Sequence, residues 1–154
     1  MKKTLNFIIP VIICFVVGFI GSLFQSGALE SWYPFLNKPV LTPPNVVFPI
    51  AWGILYLCMG ISLGFILNSG SVKKAQLTAL FTTQLFFNFL WSIFFFGMRS
   101  PVAGLADILI LDILVIMYAV KSWPVSKAAS LLFVPYILWV LFATYLNAYI
   151  FIFN

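Results

Sequence analysis

Residues 75–98 of the chain read AQLTALFTTQLFFNFLWSIFFFGM and contain no charged side chain. A helix needs about 20 consecutive, mainly apolar residues to cross the hydrocarbon core of a bilayer. This stretch therefore predicts a membrane-spanning helix. Three more uncharged stretches of at least that length predict spans of their own, at residues 4–29, 39–72 and 128–154.

The overall composition supports the same fold class. Of 154 residues, 64% are hydrophobic and 7% are charged, whereas soluble domains carry roughly 25% charged residues. A fifth apolar segment, residues 101–121, is interrupted only by Asp107 and Asp112. We predict an all-α integral membrane bundle of five helices, with residues 1–154 forming a single transmembrane domain. The predicted spans are about 5–25, 46–67, 75–96, 101–121 and 128–152.

The basic residues predict how the chain is oriented. Five spans place the two termini on opposite sides, and the side that carries the N-terminus holds six of the eight basic residues: Lys2, Lys3, Lys73, Lys74, Lys121 and Lys127. Lys38 and Arg99 fall on the other side. Because cytoplasmic loops are enriched in Lys and Arg, we expect a multi-pass cell-membrane protein with a cytoplasmic N-terminus and an external C-terminus. Topology accounts for the net charge of +5, and no nucleic-acid partner is expected.

The N-terminus has two features of a secretory signal, since Lys2 and Lys3 precede an apolar run and the small residues Ser26-Gly27-Ala28 follow it. That run extends from Phe7 to Phe24, which is longer than the 7–15 residues of a signal core. We interpret it as a retained first span.

The missing histidine excludes several kinds of site. The chain contains no His, so histidine-ligated haem, the Ser-His-Asp plan and nearly all catalytic zinc sites are excluded. Its two cysteines, Cys14 and Cys58, lie within apolar stretches and are interpreted as packed thiols. No metal site and no required cofactor are expected.

The one long connection, residues 30–45, is apolar but cannot form a continuous helix. Its four prolines break helical hydrogen bonding, yet it also contains Trp32, Tyr33 and Phe35. Two interpretations stay open. The connection is either a lid that caps the bundle between the first and second spans, or an aromatic belt at the membrane interface.

Polar and aromatic residues recur at helical spacing within the spans and so mark inward faces. These stripes contain Gln84, Asn88, Trp91, Ser92 and Phe95 in the third span, Tyr136, Trp139, Ala143 and Asn147 in the fifth, Trp52 and Tyr56 in the second, and Gly18, Gly21, Ser22 and Gln25 in the first.

Two explanations compete for these stripes. Interhelical hydrogen bonding uses small and amide side chains and explains the glycines and Ser92. It explains less well the indoles of Trp52, Trp91 and Trp139, which hold helices apart. Aromatic walls with a few polar groups are typical of a site for a flat, largely apolar ligand.

The two acidic residues of the fourth span predict different roles. Asp107 and Asp112 are five residues apart and lie on different faces of the helix. Asp107, near Arg99, is interpreted as a partner of that arginine or as a helix cap. Asp112 lies deeper and is the stronger functional candidate, although a hydrogen bond to a neighbouring helix explains it equally well.

Small residues predict an assembly surface. Ala75, Ala79 and Thr83 repeat every four residues on the third span, and Gly60 and Gly64 do so on the second. Such repeats support close helix association, so we expect a homodimer that uses residues such as Ala75 and Ala79.

The chain resembles the translocator protein family, TspO, which is also called the peripheral-type benzodiazepine receptor family. The matching residues follow in order along the whole chain: Trp32-Tyr33, Leu36-Asn37-Lys38-Pro39, Pro43-Pro44, Phe48, Trp52, Leu55-Tyr56, Gln84 to Asn88, Trp91-Ser92, Asp107, Asp112, Pro135-Tyr136, Trp139, Phe142-Ala143 and Leu146-Asn147.

The resemblance implies a five-helix bundle that binds porphyrins, and also isoquinoline carboxamides and benzodiazepines, beneath the long loop. Bacterial members are implied to degrade protoporphyrin in light and oxygen, with Trp52 and Trp139 as the catalytic residues. The implied ligand-binding residues are Tyr33, Trp52, Asn88, Trp91, Asp112, Trp139 and Ala143. The alternative is a transporter or sensor that leaves the tetrapyrrole unchanged.

One departure from the family concerns sterols. Animal members carry a Tyr followed by a basic residue at the end of the last helix, whereas no Lys or Arg follows Tyr145 or Tyr149 here. Cholesterol binding is not expected for this chain.

Overall fold

The computed structural model describes residues 2–154, and that part of the chain is helical with no strand. Its α-helices are α1 (Lys2–Leu23), α2 (Ser26–Ser31), α3 (Val47–Asn68), α4 (Lys74–Ser92), α5 (Pro101–Ser122), α6 (Lys127–Leu131) and α7 (Val134–Phe153). A 3-10 turn covers Tyr33–Phe35 and a π-turn, Ile93–Gly97, extends α4. Five of these segments are long and apolar enough to cross a membrane, which confirms the predicted fold class.

The five long helices form one bundle. Helix α1 packs mainly on α3, α4 packs on α5, and α5 packs on α7. Helices α3 and α7 face each other through aromatic rings, with Phe48 against Trp139 and Trp52 against Tyr136. We call the end that carries residues 24–46 the loop end. We call the other end the lysine end, because it carries six lysines: Lys2, Lys3, Lys73, Lys74, Lys121 and Lys127.

Glycine allows α1 and α3 to approach closely. A β-carbon added at Gly60 would lie 2.5 Å from the Cα atom of Val11, and one added at Gly64 would overlap the ring of Phe7. The Gly60 and Gly64 pair therefore packs within the chain and is not an assembly surface, which corrects the sequence-based interpretation. At the lysine end, Asn6 Nδ2 donates to Asn68 Oδ1 at 2.8 Å and closes the same seam.

The last span is divided, whereas the sequence predicted one continuous helix. Residues 132 and 133 form a turn between α6 and α7. Pro135 lies in the first turn of α7, where its missing N–H leaves no hydrogen bond unmade. Ser126 caps α6 by accepting a hydrogen bond from the backbone N–H of Ala129. Ser130 Oγ then donates to the Ala119 carbonyl at 2.7 Å, so α6 is fixed to α5.

The long connection crosses the loop end and is joined to the end of α7. Asn37 donates its backbone N–H to Asn154 Oδ1 (2.8 Å) and its Nδ2 to the Phe153 carbonyl (3.0 Å). Asn154 Nδ2 donates in return to the Asn37 carbonyl at 3.1 Å. These three hydrogen bonds form a clasp that holds the loop across the bundle.

Candidate functional site

A cavity of about 530 Å³ lies beneath the loop, among α1, α3, α4 and α7. This is within the usual range for small-molecule sites. Every residue that lines it is uncharged: Phe15, Gly18, Phe19, Ser22, Gln25, Ser26, Leu29, Tyr33, Asn45, Phe48, Pro49, Trp52, Gly53, Tyr56, Asn88, Trp91, Ser92, Phe95, Phe96, Trp139, Ala143, Leu146, Asn147 and Ile150.

The amide of Asn88 organises the side of the cavity nearest the membrane centre. Tyr56 Oη donates to Asn88 Oδ1 at 3.1 Å, and Asn88 Nδ2 donates to Tyr136 Oη at 3.0 Å. Asn88 and Tyr136 are buried, where a broken hydrogen bond is costly because no water replaces it. The network therefore holds α3, α4 and α7 in register around the cavity.

Trp52 and Trp139 form an aromatic wall. The ring of Trp52 stacks on Tyr56 at 5.6 Å between centroids and meets Tyr136 edge-on at 6.1 Å. Trp139 meets Phe48 edge-on at 5.9 Å. Such aromatic contacts restrict the orientation of each ring, so both indoles present a fixed surface to the cavity.

Trp91 connects the cavity to the start of α5. Its Nε1 donates to Asn147 Oδ1 at 3.1 Å, and Asn147 Nδ2 donates to the Pro101 carbonyl at 2.8 Å. The ring of Trp91 stacks on Phe95 with centroids 5.2 Å apart. A wall held in this way is rigid before any ligand binds, which lowers the entropic cost of binding.

The buried side chain of Tyr33 anchors the loop over the cavity. Its side chain is 6% exposed and lies against Phe95 and Phe96. Lys38 Nζ donates to the Tyr33 carbonyl at 2.8 Å and lies 4.6 Å from the centre of its ring. Burial raises the pKa of the Tyr33 phenol, because the low-dielectric surroundings disfavour phenolate.

The loop contains residues that fit each of its two interpretations, a lid and an interfacial belt. Tyr33 lies inward as part of a lid, whereas Phe35 and Leu41 are exposed, at 83% and 68%. In a bilayer, exposed apolar side chains at this position match the interfacial belt.

The structure brings six of the seven predicted ligand-binding residues to the cavity: Tyr33, Trp52, Asn88, Trp91, Trp139 and Ala143. Asp112 does not line it. Thr144 Oγ1 donates to Asp112 Oδ2 at 2.8 Å, so this aspartate joins α5 to α7. This is the structural alternative that the sequence left open.

The interpretation of Asp107 as a partner of Arg99 or as a cap is wrong. Arg99 Nη2 donates instead to Ser31 Oγ at 2.9 Å, and Ser100 caps α5. Asp107 is 3% exposed, and neither of its carboxyl oxygens has a hydrogen-bond partner within residues 2–154.

Sequence reasoning missed several lining residues, among them Phe19, Asn45, Pro49 and Gly53. Phe19 looks like any lipid-facing aromatic residue, and Asn45 and Pro49 lie at the loop-to-helix junction where no periodicity applies. Gly53 directly follows Trp52, and neighbouring residues point about 100° apart on a helix, so helical spacing did not mark it either.

The lining chemistry favours binding of a flat apolar molecule over acid-base catalysis. The lining indole and phenyl rings offer stacking surfaces, and Gln25, Asn88 and Asn147 offer neutral hydrogen-bonding groups. This combination is typical of small-molecule sites. Within residues 2–154, no group of three or more acidic or cysteine side chains is placed to hold a metal ion.

Comparisons with known proteins agree with this architecture. The profile of the TspO/MBR family matches residues 10–153. The "Tryptophan-rich protein TspO" of Archaeoglobus fulgidus is 43% identical over 150 residues, covering 97% of each chain. The "Tryptophan-rich sensory protein" of Cereibacter sphaeroides is 37% identical over 82% of this chain and 81% of its own. The human "Translocator protein" is 36% identical over 84% of this chain and 78% of its own.

Proposed function

Because the chain belongs to the TspO/MBR family, we propose that it binds a tetrapyrrole such as protoporphyrin in the cavity beneath the loop and promotes its breakdown in light. One observation carries this proposal: Trp52 and Trp139 line a cavity of about 530 Å³ that has no charged lining residue. A largely apolar macrocycle gains from burial against aromatic rings.

The chemistry of breakdown uses light, dioxygen and the bound pigment. Dioxygen is the oxidant and the porphyrin is oxidised. The indoles of Trp52 and Trp139 lie where a bound ring would contact them, so either can exchange an electron with the excited pigment. The protein contributes proximity and orientation, since the contacts of Trp52 with Tyr56 and of Trp139 with Phe48 hold the rings in place.

Illumination of purified protein with protoporphyrin tests this function. Decay of the Soret band should be faster with the wild type than in detergent alone, and at least several-fold slower in Trp52→Phe and Trp139→Phe. Trp123→Phe is the matched control, because Trp123 is 47% exposed and lies outside the cavity. Equal decay in all four proteins would refute the catalytic role.

The second candidate function is transport or sensing of the same ligands without chemical change. It is favoured by the names of two relatives, "Tryptophan-rich sensory protein" and "Translocator protein". It predicts saturable quenching of Trp fluorescence by protoporphyrin and porphyrin flux in proteoliposomes, with no product in light. Benzodiazepine and isoquinoline compounds, as flat aromatic molecules, should compete for the cavity in either case.

We also propose the cell-membrane orientation and the homodimer expected from the sequence. The six lysines at the lysine end support a cytoplasmic location for that end by the positive-inside rule. Ala75, Ala79 and Thr83 are exposed on α4, which leaves a small-residue face free for a second copy. Chemical cross-linking in membranes should give a dimer in the wild type and lose it in Ala79→Leu.

A further inference from the structure

Helix α1 changes its packing partner along its length. In the half near the lysine end, its backbone lies against α3 at Gly60. The contact with α3 continues as far as Gly18, where an added β-carbon would overlap the ring of Tyr56. From the last turn of α1 onward the chain packs on α4 instead: Gln25 Nε2 donates to Ser92 Oγ at 3.0 Å, and Phe24 meets Phe89 edge-on at 6.0 Å. A β-carbon at Gly21 would also lie 3.3 Å from Ser92 Oγ.

This change of partner separates α1 from α3 between the Gly18–Tyr56 contact and the loop end. A β-carbon at Gly53 would have no atom within 4 Å of it, in contrast to Gly60, which lies about two turns further along the same face of α3. Phe19, on the opposing part of α1, lines the cavity and is nevertheless 67% exposed. A residue that borders the cavity and is also largely exposed marks a place where the cavity opens to the outside.

Ser26, Asn45 and Pro49 also line the cavity and are exposed, so the same opening continues toward the loop end. Two other sides of the cavity are closed by contacts. The loop is held down by Tyr33 against Phe96 and by the Asn37–Asn154 clasp. The space between α3 and α7 is bridged by the Phe48–Trp139 and Trp52–Tyr136 ring pairs. Phe19 and Gly53 lie within helices that are long and apolar enough to cross a membrane, so in a bilayer the part of the opening between them faces hydrocarbon.

We propose that the cavity takes its ligand from the hydrocarbon of the loop-side leaflet, through the opening between Phe19 and Gly53. This rests on the proposed function for the identity of the ligand, and it sets the ligand class: molecules that dissolve in the bilayer before they bind. When the cavity is empty, lipid acyl chains reach Trp52 by the same route.

Association kinetics test the route. Gly53→Leu places an apolar side chain in the opening without a backbone clash, and Gly27→Leu is the matched control, because Gly27 also has no atom within 4 Å of an added β-carbon and does not line the cavity. In proteoliposomes, Gly53→Leu should slow protoporphyrin association about tenfold, and Gly27→Leu should leave it unchanged. If Gly53→Leu instead raises only the dissociation rate, or if Asn154→Ala rather than Gly53→Leu controls association, the ligand passes beneath the loop and the route is wrong.

A second measurement does not need the porphyrin. Phospholipids with brominated acyl chains quench Trp fluorescence on contact, and the share due to Trp52 is the difference between wild type and Trp52→Phe. We expect a clear Trp52 share that Gly53→Leu removes. Equal quenching of wild type and Trp52→Phe would overturn the side opening. A Trp52 share without any protoporphyrin binding would retain the opening and refute the proposed function.

Discussion

Gly60 of α3 lies so close to Val11 of α1 that a β-carbon on the glycine would be 2.5 Å from the Val11 Cα atom. Seven residues earlier on α3, a β-carbon added at Gly53 would have no atom within 4 Å. The same residue type therefore closes the helix pair at one level and leaves it open at another.

The α1–α3 seam should not tolerate a methyl group. Gly60→Ala forces the two backbones apart, and overpacking of this kind costs about 1–3 kcal/mol. Gly53→Ala is the matched control and should be neutral or slightly stabilising, since alanine favours helix by about 0.5–1 kcal/mol over glycine. Thermal unfolding in detergent measures both variants. A Tm for Gly60→Ala equal to that of Gly53→Ala would contradict the close approach.

Asn88→Leu should lower both stability and ligand affinity. It removes the amide that accepts from Tyr56 and donates to Tyr136 and leaves buried hydroxyl groups unpaired, at a cost of about 1–3 kcal/mol. Tyr136→Phe loses only one of the two bonds and should have the smaller effect. Unfolding and protoporphyrin titration measure the loss of stability and of affinity in both variants. If Asn88 only filled space, Asn88→Leu would be no more harmful than Tyr136→Phe.

Asn154→Ala should loosen the lid. The substitution removes two of the three hydrogen bonds of the clasp with Asn37, and we expect bound protoporphyrin to dissociate several-fold faster. Asn68→Ala removes an amide at the lysine end, where it bonds Asn6 and the Lys3 carbonyl, and should leave dissociation unchanged. Stopped-flow dilution distinguishes the two, and equal rates in both variants would mean that the clasp does not control the lid.

Lid closure should weaken at alkaline pH through Tyr33. Burial raises the pKa of its phenol above the unperturbed value of about 10. The contribution of the neutral phenol to closure is therefore complete below about pH 10 and is lost as the pH rises through the raised pKa. Ligand dissociation should accelerate over that range in the wild type and much less in Tyr33→Phe. Because both proteins retain Lys38, the difference between their pH profiles reports the effect of the Tyr33 phenol alone. Identical profiles would exclude the phenol as the cause.

Asp112 should be dispensable for ligand binding. It accepts a hydrogen bond from Thr144 and does not line the cavity. Thr144→Val should therefore cost about 1 kcal/mol of stability, in the range of interhelical hydrogen bonds in membranes. Asp112→Asn should keep the protoporphyrin Kd of the wild type. A tenfold or larger loss of affinity in Asp112→Asn would restore this aspartate to the binding site.

Much of the cavity was predictable because helical spacing places side chains on known faces. The stripe of Asn88 and Trp91 on α4, and that of Trp139 and Ala143 on α7, line the cavity as expected. Asp107 and Asp112 were harder, since a carboxyl group inside a span needs a partner from another helix, and helix pairing is not encoded in local spacing. The structure pairs Asp112 with Thr144 and leaves Asp107 without a hydrogen bond within residues 2–154.

The Gly60 and Gly64 repeat is a second case in which local spacing does not identify the packing partner. Glycine at four-residue spacing predicts close helix contact, but it does not say whether the neighbour belongs to the same chain. Here the neighbour is α1. The equivalent spacing of Ala75 and Ala79 lies on an exposed face of α4, so two similar patterns have different surroundings.

The sequence by itself determined the membrane-spanning helices and the residues that face inward, because both depend on apolar length and on helical period, which are local properties. Only the tertiary structure decided where the cavity opens. That opening depends on the chain leaving α3 after Gly18 meets Tyr56 and then packing on α4, where Gln25 bonds to Ser92. Contacts between residues far apart in the sequence decide which helix packs against α1 at each level, and no local sequence pattern contains that information.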